Sequence, residues 1–313
     1  MLQYVDHDGI TVGDLRARAR TGQLLLNGLQ RWGYVSLTPP TGERLRNPPQ
    51  DGATVRSTKA ARRAQEVWAE LPPVMDGRWR DRLGTSVVDR LERALRAIFD
   101  DLPFAPPACL PVVHPTQGGR SEAVPPHGGP GSRRLPTNGA LSPLLSGVLL
   151  AFTLDFEAAS RISLPISAST LRVLGTPGRR VGDLPRCTGV SREGQAMCIG
   201  WLERHGCVVA EPDPDARRGK VVRLTSKGEK AQQKYRRVLA ATEESWGPQY
   251  GLTNVDELRA ALHTVVGDGT YASSPLGAGL VPHPDNWRAR VRRAQTLPHH
   301  PMPLHRGGFP DGS

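Results

Sequence analysis

At 313 residues, with 41 Lys and Arg against 30 Asp and Glu, the chain carries a formal charge of +11. That length accommodates two domains of ordinary size, and that charge favours a polyanionic partner such as nucleic acid. The 34 Gly and 29 Pro exceed what packed helical domains use, and the four cysteines form no CxxC pair, which argues against a zinc knuckle or a thioredoxin-type site. Met1 to Ile10 carries Asp6 and Asp8 and lacks a basic segment followed by an apolar one, so no secretory signal is expected. The longest apolar stretch, Leu144 to Phe152, is broken by Ser146 and Gly147 and falls short of the roughly 20 residues of a spanning helix. The expectation is a soluble, cytoplasmic chain without membrane contact.

Taken in chain order, Gly9 to Ala19 reads as a short helix, Gly22 to Trp32 as a second, and Gly33 to Leu37 as a strand entered through a glycine C-cap. Pro39 to Pro49 is a polar excursion before a return strand at Ala53 to Ser57. A long helix begins near Thr58 and is kinked by Pro72-Pro73; the next, Val87 to Phe99, puts Val88, Leu91, Leu95 and Ile98 on one face. Residues 104–139 hold Pro-Pro and Gly-Gly pairs with almost no apolar periodicity and read as a linker. Leu141 to Ala159 and Ser167 to Leu174 are amphipathic helices, and residues 268–313 read as an extended Gly-, Pro- and His-rich arm.

The chain also repeats itself. Residues 222–262 align without a gap with 55–95, each 167 positions on (222 minus 55): Val55-Arg56 answers Val222-Arg223, Thr58 answers Thr225, Trp79 answers Trp246, Gly84 answers Gly251. Upstream, Val12-Gly13-Asp14-Leu15 answers Val181-Gly182-Asp183-Leu184 at a shift of 169 (181 minus 12). A unit of that length, present twice, reads as duplicated domains rather than a solenoid. The expected organisation is an N-terminal domain at 1–103, a linker at 104–139, a second domain at 140–267 and an arm at 268–313. Leu141 to Ala159 has no counterpart ahead of the first repeat, which is expected either to have lost that helix or never to have had it.

In the second half, a helix at Val181 to Cys187, a turn at Thr188-Gly189-Val190 and a helix opened by Ser191 and closed at His205-Gly206 have the spacing of a helix-turn-helix. Cys207 to Ala210 and Val221 to Leu224 flank a charged tip, Glu211 to Lys220, and read as a hairpin wing. The stretch Asp213-Pro-Asp-Ala-Arg-Arg-Gly-Lys-Val-Val-Arg-Leu-Thr-Ser-Lys-Gly228, with Val181-Gly182-Asp183-Leu184 and Leu202-Glu203-Arg204-x-Gly206, resembles the MarR family of winged-helix transcriptional regulators. The resemblance spans about 141–267 and extends more weakly through the repeat to 9–100.

The resemblance implies a mainly α fold with small β wings, normally a homodimer whose terminal helices interleave and whose recognition helices read successive major grooves. Here two winged helix-turn-helix domains on one chain would form a pseudo-dimer. It also implies double-stranded DNA as partner and a small lipophilic or phenolic effector that loosens DNA binding. Arg192 and Gln195, on the first turns of the recognition helix after Ser191, are the residue types that read guanine and adenine bidentately. Arg217, Arg218 and Lys220 on the wing suit phosphate or a narrow minor groove. Family wings carry an acidic residue two before the second arginine; Ala216 stands there, so Arg218 is less fixed unless Asp213 or Asp215 substitutes. In the first half, Leu24-Leu25-Leu26 leave little room for base readers. Gln23 and Asn27 remain, and Arg16, Arg18, Arg20, Arg44 and Arg46 suit phosphate, so the expectation is one lobe for sequence and one for backbone.

Cys198 falls at apolar spacing with Ile199 and Leu202 and reads as a buried thiol rather than a redox switch. His299, His300 and His305 have no cysteine or acidic partner nearby in sequence, so no metal site is expected. The chain has no P-loop, GxSxG elbow or HExxH, so neither an enzyme nor a cofactor is expected. The rival reading is a winged-helix protein-interaction module in which DNA contact is vestigial.

Overall fold

The computed structural model describes residues 2–19, 26–104, 141–190, 192–215 and 219–267. The linker and arm expected from the sequence lie almost wholly outside these residues. After a 3-10 turn at Leu2–Tyr4, the first unit runs β1 (Ile10–Thr11), α1 (Val12–Ala19), α2 (Leu26–Arg31), β2 (Val35–Thr38), β3 (Thr54–Ser57), α3 (Lys59–Ala69), α4 (Leu71–Leu83) and α5 (Thr85–Asp100). The second runs α6 (Leu141–Ala159), a π turn (Leu164–Ala168), α7 (Ser169–Val173), β4 (Arg179–Arg180), a 3-10 turn (Val181–Asp183), α8 (Leu184–Thr188), α9 (Arg192–Arg204), β5 (Val208–Pro212), β6 (Lys220–Leu224), α10 (Ser226–Tyr250) and α11 (Leu252–Val266). The described residues are thus mostly helical with two small antiparallel sheets.

The two sheets have the same topology, β1-β3-β2 and β4-β6-β5. Neither two-residue edge strand was expected: Ile10 pairs with Val55 where a helix was read from Gly9, and Arg179 pairs with Val222. Two residues carry too little alternation to be seen in sequence. The expected proline kink is a full break, because α3 ends at Ala69 and Pro72-Pro73 fall in the first turn of α4, where their missing N–H groups cost nothing. Its counterpart α10 has no such pair and runs unbroken for 25 residues.

Identical joints recur in both units. Thr58 and Thr225 cap α3 and α10, each hydroxyl accepting from a first-turn N–H (Ala61, 3.2 Å; Gly228, 3.0 Å) and donating to the carbonyl of a glycine, Gly33 (2.6 Å) or Gly206 (2.7 Å). Gln65 on α3 donates to the carbonyls of Leu2 and Val5 (2.6 and 3.0 Å), and Gln232 on α10 to those of Leu171 and Leu174 (2.5 and 2.7 Å). The Leu2 turn therefore occupies in the first unit the place of α7 in the second. One joint differs: a Cβ on Gly228 would meet the Cys207 carbonyl at 1.8 Å, whereas Ala61 is accommodated at the matching position.

Each winged unit has its own small core, one around Leu15, Leu26, Val35 and Val55, the other around Leu171, Leu184, Leu202 and Val222. A third core joins them. Val88, Leu91, Leu95 and Ile98 of α5 pack with Val255, Leu258, Ala261 and Val265 of α11, beneath Leu144, Val148 and Ala151 of α6. By length and composition α6 passes for a membrane-spanning helix, but much of it is buried in this core. Leu91→Ala and its counterpart Leu258→Ala should each cost about 2–5 kcal/mol. Because both line one core, urea unfolding followed by circular dichroism and tryptophan fluorescence should keep a single transition; two separated transitions would show that the units unfold independently.

Candidate nucleic-acid interface

In the second unit α8 ends at Gly189, whose φ of +74° lets its N–H return to the carbonyl of Pro185 at 2.9 Å. Only a residue without a Cβ takes that conformation without strain, and it turns the chain sharply into α9. Thr188 consolidates the turn, its hydroxyl donating to the Leu184 carbonyl (2.8 Å) and accepting from Val190 N–H (3.1 Å).

Gln195 does not serve as a base reader in this structure, contrary to the sequence-based expectation. It is fully buried: its amide nitrogen donates to the Thr188 hydroxyl (2.6 Å) and its carbonyl oxygen accepts from that of Thr170 (2.9 Å). Both ends of the amide are consumed in tying α7, α8 and α9 together. A polar side chain early in a recognition helix has the right chemistry for either role, and only the approach of α7 decides between them. Arg192, by contrast, is exposed at the first position of α9, and Ala196 lies one turn further along the same side. Met197 is 63% exposed beside them. Sequence reasoning missed Met197, because an apolar residue in an amphipathic helix reads as core; its neighbour Cys198 is the one that turns inward.

The wing is a regular hairpin, Val208 opposite Leu224 through Pro212 opposite Lys220. Lys220 is exposed on it; Arg217, Arg218 and Ser191 lie outside the described residues. Asp213, where the tip loop of the wing leaves β5, is buried, pairs with Arg180 Nε at 2.8 Å and accepts from the backbone N–H of Asp215 at 3.0 Å. Arg180 also lies 3.8 Å from Asp215. The two aspartates that stood as replacements for the acidic residue absent at Ala216 are thus engaged with β4, and they anchor the tip loop to it.

In the first unit the described part of the recognition segment is the six-residue α2. Asn27 donates to the Asn47 side chain at 2.8 Å, bridging α2 to the wing loop. Arg18, Arg44 and Arg46 are exposed, while Arg20 and Gln23 lie outside the described residues. Arg16 is engaged with Asp51 at the wing root. Gln50 shapes the loop from within, accepting from the Arg46 N–H (3.1 Å) and donating to the Arg44 carbonyl (2.9 Å), which leaves both guanidinium groups at its surface.

No family model matches the chain, and no curated protein matches it either. Solved structures similar to it include three transcriptional regulators. The transcriptional repressor CouR, bound to a 23-mer DNA duplex, is 23% identical with a TM-score of 0.36, over 41% of this chain and 92% of CouR. The PcaV transcriptional regulator from Streptomyces coelicolor, in complex with its natural ligand, is 17% identical with a TM-score of 0.35, over 42% of this chain and 96% of PcaV. The transcriptional regulator Tm0710 from Thermotoga maritima is 20% identical with a TM-score of 0.27, over 39% of this chain and 93% of its own.

Away from the recognition helix, α6 and α11 flank an apolar groove of about 1080 Å³. Leu95 and Trp246 contribute to it, Leu149 and Leu262 are exposed along it, and Glu243, Arg259 and His263 add polar groups to its lining. The volume is that of a small-molecule site.

The thiols of this unit are not equivalent. Burial pushes Cys198 and Cys207 above the usual thiol range, and the Cys198 thiol donates to the Ile166 carbonyl. Cys187 is half-exposed and accepts from Arg179 at 3.3 Å. Since the thiolate is the nucleophile, iodoacetamide at pH 7.5 should modify Cys187 well before Cys198 or Cys207, read by peptide mass mapping. Equal labelling of Cys198 without denaturant would contradict its burial.

Proposed function

We propose that the chain is a sequence-specific DNA-binding transcriptional regulator of MarR type, in which winged-helix domains at 1–103 and 140–267 form a pseudo-dimer on one polypeptide. The observation that carries this reading is the second unit's helix-turn-helix and wing. Arg192, Ala196 and Met197 are presented on the open side of α9, and Lys220 leads to the Arg217-Arg218 tip. The joint core of α5 and α11 supports the pseudo-dimer, since it binds equivalent helices of the two units to each other.

In this reading Arg192 contacts guanine, and Met197 and Ala196 offer apolar contact to a thymine methyl. Arg217, Arg218 and Lys220 grip backbone or minor groove, with Ser191 at the helix start. The first unit contributes mainly phosphate contacts through Arg18, Arg20, Arg44 and Arg46, with Gln23 its remaining candidate for base contact. A helix-turn-helix pair docks on half-sites about 34–36 Å apart, and covalent linkage raises the effective concentration of the second reader. The groove between α6 and α11 is the proposed site for a small lipophilic or phenolic effector that releases DNA, with Arg259 and His263 available to an acidic group on it.

The test is a fluorescence-anisotropy titration on the DNA upstream of the coding sequence and on random duplex, at two salt concentrations. Specific, salt-sensitive binding is expected. Arg192→Ala should relax sequence preference, by about 1–3 kcal/mol at the base it reads. Arg217→Ala should weaken all sequences and reduce the salt slope by about one counterion. Equal losses on both duplexes for both variants would contradict that division of roles, and no binding at either salt would favour the protein-interaction module instead.

A further inference from the structure

The equivalence of the two long helical arms reveals a face that is covered in one unit and bare in the other. On α10, Tyr235, Thr242, Trp246 and Tyr250 are 6%, 6%, 3% and 3% exposed. The apolar helix α6 shields this arm: Phe156 meets Tyr235 edge-on at 5.7 Å, Phe152 meets Trp246 at 5.0 Å, and Asp155 accepts from the Trp246 indole at 2.8 Å. The residues 167 positions earlier (235 minus 68) are Trp68, Met75, Trp79 and Leu83 on α3 and α4. Trp68 and Met75 are each 45% exposed, with Val67 and Val74 beside them at 45% and 46%, while Trp79 and Leu83 are half-buried. Trp79 and Leu83 pack against the core of α5, α6 and α11, but among the described residues no helix covers Val67, Trp68, Val74 and Met75 as α6 covers α10. Contiguous apolar exposure of this kind marks a contact surface.

We propose that residues 285–297 of this chain dock on the exposed Trp68–Met75 face as an amphipathic helix, in the place that α6 takes on α10. What covers the equivalent face is a helix presenting aromatic and aliphatic side chains, so the occupant must supply the same. Between Pro284 and Pro298 the sequence places Trp287, Val291, Ala294 and Leu297 at spacings of four, three and three, one side of a helix. Asp285 stands at the N-cap position, Arg288, Arg292 and Arg293 fall away from the apolar side, and Arg290 lies at its edge, where its long stem reaches solvent. Distance is no obstacle. The 17 residues from 268 to 284 (284 minus 267) reach about 56 Å when extended, more than the roughly 37 Å length of α10. A segment on the same chain also competes at high effective concentration against any separate molecule. The inference rests on the equivalence of α3 and α4 with α10 and is independent of the DNA reading.

The experiment is hydrogen exchange by mass spectrometry on the intact chain, on Trp287→Glu and on Met75→Glu, with solution mass from light scattering. Amides of 285–297 in the intact monomer should exchange at least tenfold slower than in the free peptide of that sequence. Each substitution should remove this protection and speed exchange in α4, while α11 stays unchanged as a control for folding. Exchange of 285–297 at the free-peptide rate would overturn the proposal. So would protection that survives Met75→Glu, which would put the segment elsewhere, or a dimer mass abolished by Met75→Glu with 285–297 unprotected, which would assign the face to a second copy.

Discussion

The packing of α5 against α11 is the contact on which the rest of the molecule depends. Val88, Leu91, Leu95 and Ile98 meet Val255, Leu258, Ala261 and Val265, so two helices in equivalent positions bury their apolar stripes in each other rather than in their own winged units. Each stripe follows the helical period, and burying it once, jointly, removes both from water. Gly84 and Gly251, at φ of +88° and +89°, turn the chain into these helices in the same left-handed conformation. From this bundle the arms α3–α4 and α10 lead back to the wings, so the placement of both small sheets is inherited from it.

The second recurrent constraint is polar. Thr58 and Thr225 satisfy first-turn N–H groups while holding the glycine that follows α2 or α9, and Gln65 and Gln232 each satisfy two carbonyls of an earlier segment. Buried backbone groups must find partners, and a single glutamine meets two of them where a helix end lies against an arm. Gln195 does comparable work with the hydroxyls of Thr170 and Thr188. The exposed side of α9 is formed instead by Arg192, Ala196 and Met197. In the first unit the recognition segment is tied to its wing through Asn27 and Asn47, so the two units present different surfaces on the same topology.

Most of the elements were legible in the sequence because their signals are local. Thr58 and Thr225 announce helix starts, Gly189 and Gly206 announce turns, and α6 follows its apolar pattern from Leu141 to Ala159 as read. The edge strands β1 and β4 left no signal, since two residues have no period. The break at Pro72-Pro73 was visible, but its consequence, an arm with an exposed apolar side where α10 is covered, follows only from where α6 lies.

By itself, then, the sequence determined the internal repeat, the helix-turn-helix and wing of the second half, and the basic residues on them, because caps, turns, charge and apolar period act within a few residues. The tertiary structure alone decided that Gln195 faces inward and Met197 outward, that Asp213 holds Arg180, and that α5 and α11 share a core. Those outcomes depend on which surface another segment brings alongside. A side chain able both to reach a base and to satisfy a buried partner carries no local mark of which it will do.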